Sequence, residues 1–370
     1  MTYKETLFFI GQSLTINHEE KNKIVIEEQL KKNTVDWDAV VKVSTGHFVF
    51  PALYCNLKRA HFLHYLPEDL VQYMQHITDL NRDRNEKIIA QAKEINALLL
   101  ANNITPIFLK GTGNLLEGLY EDIAERMVGD IDFIVSKGEY QQAIKVLLDF
   151  GYENVHKEAY YYPEFKHYPR IHKKGDKSIV AVEIHKELLA ERYADEFNYE
   201  LIKNNTQMLN GTHVLNYANQ LNLTVIAKQI NDFGEDYKTI SLRNTYDVFL
   251  LSQKTSAQKA IANFNKLYNP LNNFLAISYE VMGKVCALEY TVTNKTKSYV
   301  NIFYSQLEYT PKKKDKHHRS IAKQVLFKKR IEYLLFTIYK KEFRQWILNR
   351  IRDKKWKQQK LQQLGFKKRS

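Results

Sequence analysis

The sequence predicts an α+β protein: a small mixed β-sheet with its own helices, flanked by helical N- and C-terminal regions. Three observations lead there. Only 13 Gly and 7 Pro occur in 370 residues, which disfavours a turn-rich all-β chain and favours long unbroken helices. Hydrophobic residues make up 44% and aromatics 12%, enough for a sizeable core and unlike a disordered chain. At Asn102-Asn103 helical stripes give way to short apolar runs interrupted by Gly and Asp.

Residues 1–101 read as a helical N-terminal region. Ile24, Ile26, Leu30, Val35, Trp37, Val40 and Val41 suggest short packed helices, and Leu53, Leu57, Ala60 and Leu63 follow helical spacing. Pro67-Glu68-Asp69 starts a long helix, with proline in the first turn and acids at its positive end. Its stripe is Ile88, Ile89, Ala92, Ile95, Leu98 and Leu99.

Residues 102–190 form the α/β core. Ile104–Leu109 reads as a buried strand, and Lys110-Gly111-Thr112-Gly113-Asn114 then opens a helix through Tyr120. Asp130–Val135 is a second strand, followed by a helix over Ser136–Phe150 that ends at Gly151. Residues 160–186 read as a hairpin turning at Gly175-Asp176, with Ser178–His185 as its returning strand. From Glu187 the chain returns to helix, and residues 191–309 form a helical substrate or accessory domain with buried helices at Leu221–Ile230 and Leu242–Leu251.

Charge sets the last segment apart. Of 55 Lys+Arg and 42 Asp+Glu, residues 310–370 hold 21 and 4, a net of +17, which leaves the other 309 residues at −4. Apolar residues recur there at helical spacing, among them Leu326, Leu334, Leu335, Ile338 and Ile351. Three readings of this basic amphipathic end stand: terminal helices with a solvated basic face, an anionic membrane surface, or nucleic acid with Trp356 and Phe366 for stacking. Cys55 and Cys286 exclude a disulfide framework and a cysteine zinc cluster. No run approaches the roughly 18 to 20 apolar residues of a membrane span, and Leu7–Ile10 is too short for a signal-peptide core. The expectation is a cytoplasmic protein, with peripheral membrane contact tied to the second reading of the basic end.

The chemistry concentrates at Gly129-Asp130-Ile131-Asp132-Phe133-Ile134-Val135. Strand residues two apart share a face, about 6.5 Å apart, so Asp130 and Asp132 project together. Converging carboxylates repel unless a cation sits between them, and a pair of divalent metal ions is one solution. The plainer meaning of Asp-X-Asp is a solvated strand end. The glycine-containing turn some twenty residues upstream offers N–H groups and a helix N-terminus to a phosphate, beside Lys110. Val182-Glu183-Ile184-His185 alternates so that Glu183 and His185 share a face, which makes Glu183 a third carboxylate; Glu187 is the competitor.

These residues carry a resemblance. Lys110-Gly111, Arg126, Gly129 to Val135, Gly151-Tyr152, Val182-Glu183-Ile184-His185 and Leu242-Arg243-Asn244-Thr245-Tyr246-Asp247 together resemble the bacterial "uncharacterised nucleotidyltransferase" family of the DNA polymerase β-like superfamily. The resemblance spans about 105–255. It implies a polymerase β-like core in which Asp130, Asp132 and Glu183 bind two Mg²⁺, with Glu183 also the base. Lys110-Gly111-Thr112-Gly113 stands where the superfamily usually shows Gly-Ser, which leaves open how the triphosphate is held.

Three further sets of residues have two readings each. Arg126 clamps a phosphate or pairs with Glu121, Asp122 or Glu125. His167 and His185 line the pocket or are incidental to the hairpin. Arg243 and Asp247 line it too, or form an intrahelical ion pair. The functional expectation is a metal-dependent nucleotidyltransferase moving a nucleoside monophosphate from a nucleoside triphosphate, bound through Lys110, Gly111, Thr112 and Arg126, to an unidentified acceptor. The alternative is a non-catalytic protein of the same fold that binds membrane or nucleic acid through its basic end. No Walker P-loop, dinucleotide fingerprint, serine elbow or His-Glu-x-x-His occurs.

Overall fold

Among the described residues seven short strands make one mixed sheet: β1 (Ile107–Phe108), β2 (Asp130–Ile134), β3 (Tyr152–Asn154), β4 (Ile171–Lys173), β5 (Ala181–His185), β6 (Thr206–Leu209) and β7 (Thr212–Leu215). Their order is β3-β4-β5-β2-β1-β7-β6. The central pair β2 and β5 is parallel, β1 runs antiparallel to β2 and parallel to β7, and the outer pairs are antiparallel. The computed structural model describes residues 1–155, 166–175 and 180–352. Of the expected hairpin, β4 and β5 pair through Ile171 and Val182. The stretches 160–165 and 176–179 lie outside the described residues.

The helices before the sheet are α1 (Tyr3–Ser13), α2 (Glu20–Lys31), α3 (Trp37–Gly46), α4 (Phe50–Arg59) and α5 (Glu68–Leu100). α5 begins directly after Pro67 with Glu68 and Asp69 in its first turn, and buries Ile88, Ala92, Ile95 and Leu99. The same face buries Asn81 and Asn85, which the site uses. Within the sheet region α6 (Lys110–Glu117) packs on β2, and α7 (Tyr140–Asp149) on β3, β5 and α5.

Residues 206–215 differ from expectation: they are strands, not helix. Asn210 and Gly211 sit at φ +50° and +76° between β6 and β7, the left-handed pair that a two-residue hairpin turn requires. The helix expected from Glu187 also starts later, as a short α8 (Glu191–Ala194) followed by α9 (Tyr199–Ile202). Then come α10 (Tyr217–Ile226), α11 (Gly234–Tyr237), α12 (Leu242–Ser252), α13 (Ala257–Ile261), α14 (Tyr268–Val281) and α15 (Asn294–Leu307). α10 packs on α12 and α6.

One sheet face is wholly apolar: Ile131 and Phe133 on β2 and Val182 and Ile184 on β5 have no exposed surface. Burying each of these side chains contributes about 1.5–3 kcal/mol. The opposite face of the same two strands is free to carry polar chemistry.

The chain divides into two compact units, of which the described residues to Thr310 form the first. The second contains α16 (Pro311–Tyr339) and α17 (Lys341–Arg352). Phe343 of α17 is buried against the rings of Tyr333 and Phe336, at 6.2 and 5.2 Å. Phe327, Leu334 and Ile338 of α16 are exposed. Trp356 and Phe366 lie outside the described residues. Among the described residues no helix is long and apolar enough to cross a membrane.

Candidate functional site

The parallel register of β2 and β5 sets Asp132 opposite Glu183 and Ile134 opposite His185. Because strand side chains alternate, Asp130, Asp132, Glu183 and His185 leave the sheet on one face, away from the apolar one. His185 Nε2 lies 2.8 Å from Asp132 Oδ1 and 3.5 Å from Glu183 Oε2. One donor atom each from Asp132, Glu183 and His185 falls within 4.8 Å of the others, and all three residues are buried.

Two cations balance this acidic face. Lys110 Nζ donates to Asp132 Oδ1 at 2.6 Å and lies 3.8 Å from Glu183 Oε2. Arg170 bridges the outer carboxylates, with Nε to Glu183 Oε1 at 2.7 Å and Nη2 to Asp130 Oδ2 at 3.0 Å. Lys110 is the first residue of α6 yet has φ +53°. That left-handed backbone costs a non-glycine residue about 1–2 kcal/mol, and such strain gathers at functional positions.

The charges shift accordingly. Burial pushes the Glu183 carboxyl up, but His185, Lys110, His167 and Arg170 outweigh it and hold the group well below the usual range. Asp130 is raised, by burial and then by the charge of Glu183, against the pull of Arg170. Burial lowers Lys110, yet Asp132 and Glu183 raise it further, so its ammonium keeps its proton. His167 is lowered by burial, with Glu183 opposing; its Nε2 is 3.9 Å from Glu183 Oε2.

A cleft of about 410 Å³ opens on this face. Of the residues named from sequence, Lys110, Gly111, Arg126, Asp130, Asp132, His167, Glu183, His185, Arg243 and Asp247 all line it. Thr112 does not: its buried hydroxyl donates to the Asp130 carbonyl at 3.0 Å, tying the α6 turn to β2. Glu187 turns to Lys137 at 2.5 Å.

Both ion-pair readings for the arginines need correction. Arg126 pairs with none of Glu121, Asp122 or Glu125; its Nε donates to both oxygens of Asp247, at 3.0 and 2.9 Å. Asp247 also accepts from Tyr120 at 2.7 Å, so it forms no pair with Arg243 on its own helix. Arg126 is buried and explains Gly111, where a Cβ would meet Val128 at 3.1 Å and the Arg126 guanidinium at 3.3 Å.

The loop carrying Arg126 is held by polar groups that sequence reading passed over. Asn81 donates to the carbonyls of Ala124 and Arg126, and Asn85 to those of Ile123 and Arg126. Arg82 grips Asp122, Arg59 pairs with Glu125 at 2.7 Å, and Tyr246 donates to Glu125. Arg170 and Lys166 were also missed as site residues. The signal for Arg170 was electrostatic: three facing carboxylates need a cation, and Arg170 stands immediately before β4, the strand paired with β5 beside Glu183.

Against known families, the model described as "Uncharacterised nucleotidyltransferase" matches residues 33–279. The chain belongs to that family. The match spans α3 to α14 and so takes in the whole sheet and the cleft. No curated protein matches this nucleotidyltransferase-family chain. The crystal structure of JHP933 from Helicobacter pylori resembles it at 14% identity, covering 66% of this chain and 95% of that one with a TM-score of 0.31. That likeness is too remote to carry fold or activity across.

Nucleotidyl transfer ordinarily employs a divalent metal ion, and the residues here suit one. Asp132, Glu183 and His185 converge with oxygen and imidazole donors, and a positive group, the Lys110 ammonium, already sits against both carboxylates.

Proposed function

We propose that the protein is a metal-dependent nucleotidyltransferase built on a polymerase β-like core. It transfers a nucleoside monophosphate from a nucleoside triphosphate to an acceptor hydroxyl or phosphate. The observation that carries the reading is the opposition of Asp132 and Glu183 across β2 and β5, with Asp130 and His185 on the same face of a cleft. Membership of a nucleotidyltransferase family supports it.

In the transfer the acceptor oxygen bonds to the α-phosphorus. The bond from that phosphorus to the oxygen bridging to the β-phosphate breaks, and pyrophosphate leaves with the electron pair. Asp130, Asp132 and Glu183 would hold the metal, two Mg²⁺ in this reading, with His185 beside them. Bound there, the ions supply neutralisation of phosphate charge and a more acidic acceptor hydroxyl. Glu183, held ionised by its neighbours, suits a metal ligand better than a base, because a carboxyl so depressed is a weak proton acceptor. Lys110 and the first-turn N–H groups at Gly111 and Thr112 give a phosphate positive partners, while the Thr112 hydroxyl fixes that turn on β2. Arg126 acts from beneath Gly111, its charge held by Asp247.

Isothermal titration of nucleoside triphosphate with Mg²⁺ tests the site, comparing the protein with its Asp130→Ala/Asp132→Ala double variant. Binding is expected in the first and at least tenfold weaker in the second. Equal affinity for both proteins would sink the assignment and favour a protein that keeps the fold without the chemistry.

A further inference from the structure

The central carboxylates of the cleft face cations, while Arg243 and Asp232, which also line it, form no ion pair among the described residues, although the charges of Asp247 and Asp232 draw on Arg243. Lys110 and Arg170 face Asp130, Asp132 and Glu183, and Arg126 faces Asp247. Arg243, on the first turn of α12, lines the same cleft. Its neighbour Asp247, one helical turn on, would be its ordinary partner, but gives its oxygens to Arg126 and Tyr120. Among the described residues no carboxylate pairs with Arg243, and its buried Nε has no hydrogen-bond partner.

The guanidinium is nevertheless held in place. Its Nη1 reaches the Met127 carbonyl at 3.5 Å, and its centre lies 5.1 Å from the ring centroid of Phe48. Burial, and then the charge of Arg126, lower its pKa to about 10. A half-buried cation beside a second cation, with a donor unused, is costly unless an anion completes it. The planar fork of arginine matches phosphate oxygens.

We infer that Arg243 is the residue that takes the β- and γ-phosphates of the nucleoside triphosphate, and hence the leaving pyrophosphate. The inference rests on the nucleotidyltransferase reading, in which the carboxylate face takes the reacting α-phosphate and a cation on another element takes the phosphates beyond it. Arg243 would then stabilise the charge that builds on the leaving group as the α-phosphorus bond breaks.

The test is titration of full-length protein and the variants Arg243→Met and Arg243→Lys with three probes in Mg²⁺. The probes are inorganic pyrophosphate, the best-bound nucleoside triphosphate and the matching monophosphate. Arg243→Met is expected to weaken pyrophosphate and triphosphate at least tenfold and leave monophosphate within twofold. Arg243→Lys, keeping a point charge without the fork, should fall between and control for folding. Variants that bind pyrophosphate and triphosphate like the parent protein overturn the inference alone. A loss that extends equally to monophosphate also overturns it. A parent protein that binds none of the probes overturns both the inference and the functional reading beneath it.

Discussion

Asp132 and Glu183 face each other across neighbouring parallel strands, and the ammonium of Lys110 lies 2.6 Å from an oxygen of the first and 3.8 Å from one of the second. The chain thus carries its own cation where two carboxylates converge. A divalent ion bound there has to share those oxygens with Lys110 or move it.

Competition of that kind has a measurable sign. Lys110→Met removes the internal cation and leaves Asp132 and Glu183 to repel each other, so the metal-free variant should be less stable by about 1–3 kcal/mol. The figure is the cost of breaking a buried pair, reduced because the Lys110 side chain is 30% exposed. Divalent metal should then raise the melting temperature of the variant more than that of the parent protein. Equal metal-induced shifts in the two would show that Lys110 and the metal do not use the same oxygens.

The pairing of Arg126 with Asp247 makes a different demand. Both side chains are nearly excluded from solvent, at 7% and 1% exposure, so Asp247→Asn strands a buried guanidinium. A loss of about 3–5 kcal/mol in unfolding free energy is expected, read from chemical denaturation. Arg243→Met, which breaks no ion pair, should cost far less. A small loss for Asp247→Asn would mean that Arg126 finds another partner or water.

Asp122 gives the loop before β2 a pH dependence. Its carboxylate accepts from the Ala124 N–H at 2.9 Å and from Arg82 at 3.1 and 2.7 Å. Burial raises its pKa, but Arg82 and the Ala124 N–H outweigh that and leave it below the ordinary 3.8. A depressed carboxyl contributes stability above its unfolded pKa and loses it as the pH falls through its folded one. Asp122→Asn should therefore cost about 1–2 kcal/mol at neutral pH, from a lost cap and a partly exposed ion pair. The gap should begin to close below pH 3.8. A gap that stays constant across the acid range would assign the effect to packing instead.

Local pattern made the acidic face legible. Asp130, Asp132, Glu183 and His185 can be placed on one side from strand alternation alone, because a period of two needs no knowledge of the partner strand. Their opposition could not be read, since register between β2 and β5 is fixed by the sheet and not by either segment. Asn210-Gly211 is a pair suited to the positive φ of a two-residue turn, but reading residues 191–309 as helical passed over it. Arg243 and Asp247 show the reverse error. Spacing of four suggests an intrahelical pair, but Arg126 lies 121 residues before Asp247 in the chain and takes the carboxylate in the fold. Asn81 and Asn85 carry no local signal, since only the fold brings the carbonyls of the Arg126 loop onto them.

The central claim is that the acidic face of β2 and β5 performs nucleotidyl transfer. The most direct measurement incubates the protein with α-³²P-labelled nucleoside triphosphates, Mg²⁺ and cell extract, and follows label into a new product beside released pyrophosphate. The account predicts labelling by the parent protein that falls at least a hundredfold in Asp132→Asn and stops when metal is chelated. Labelling that persists at parental rates in Asp132→Asn would contradict it.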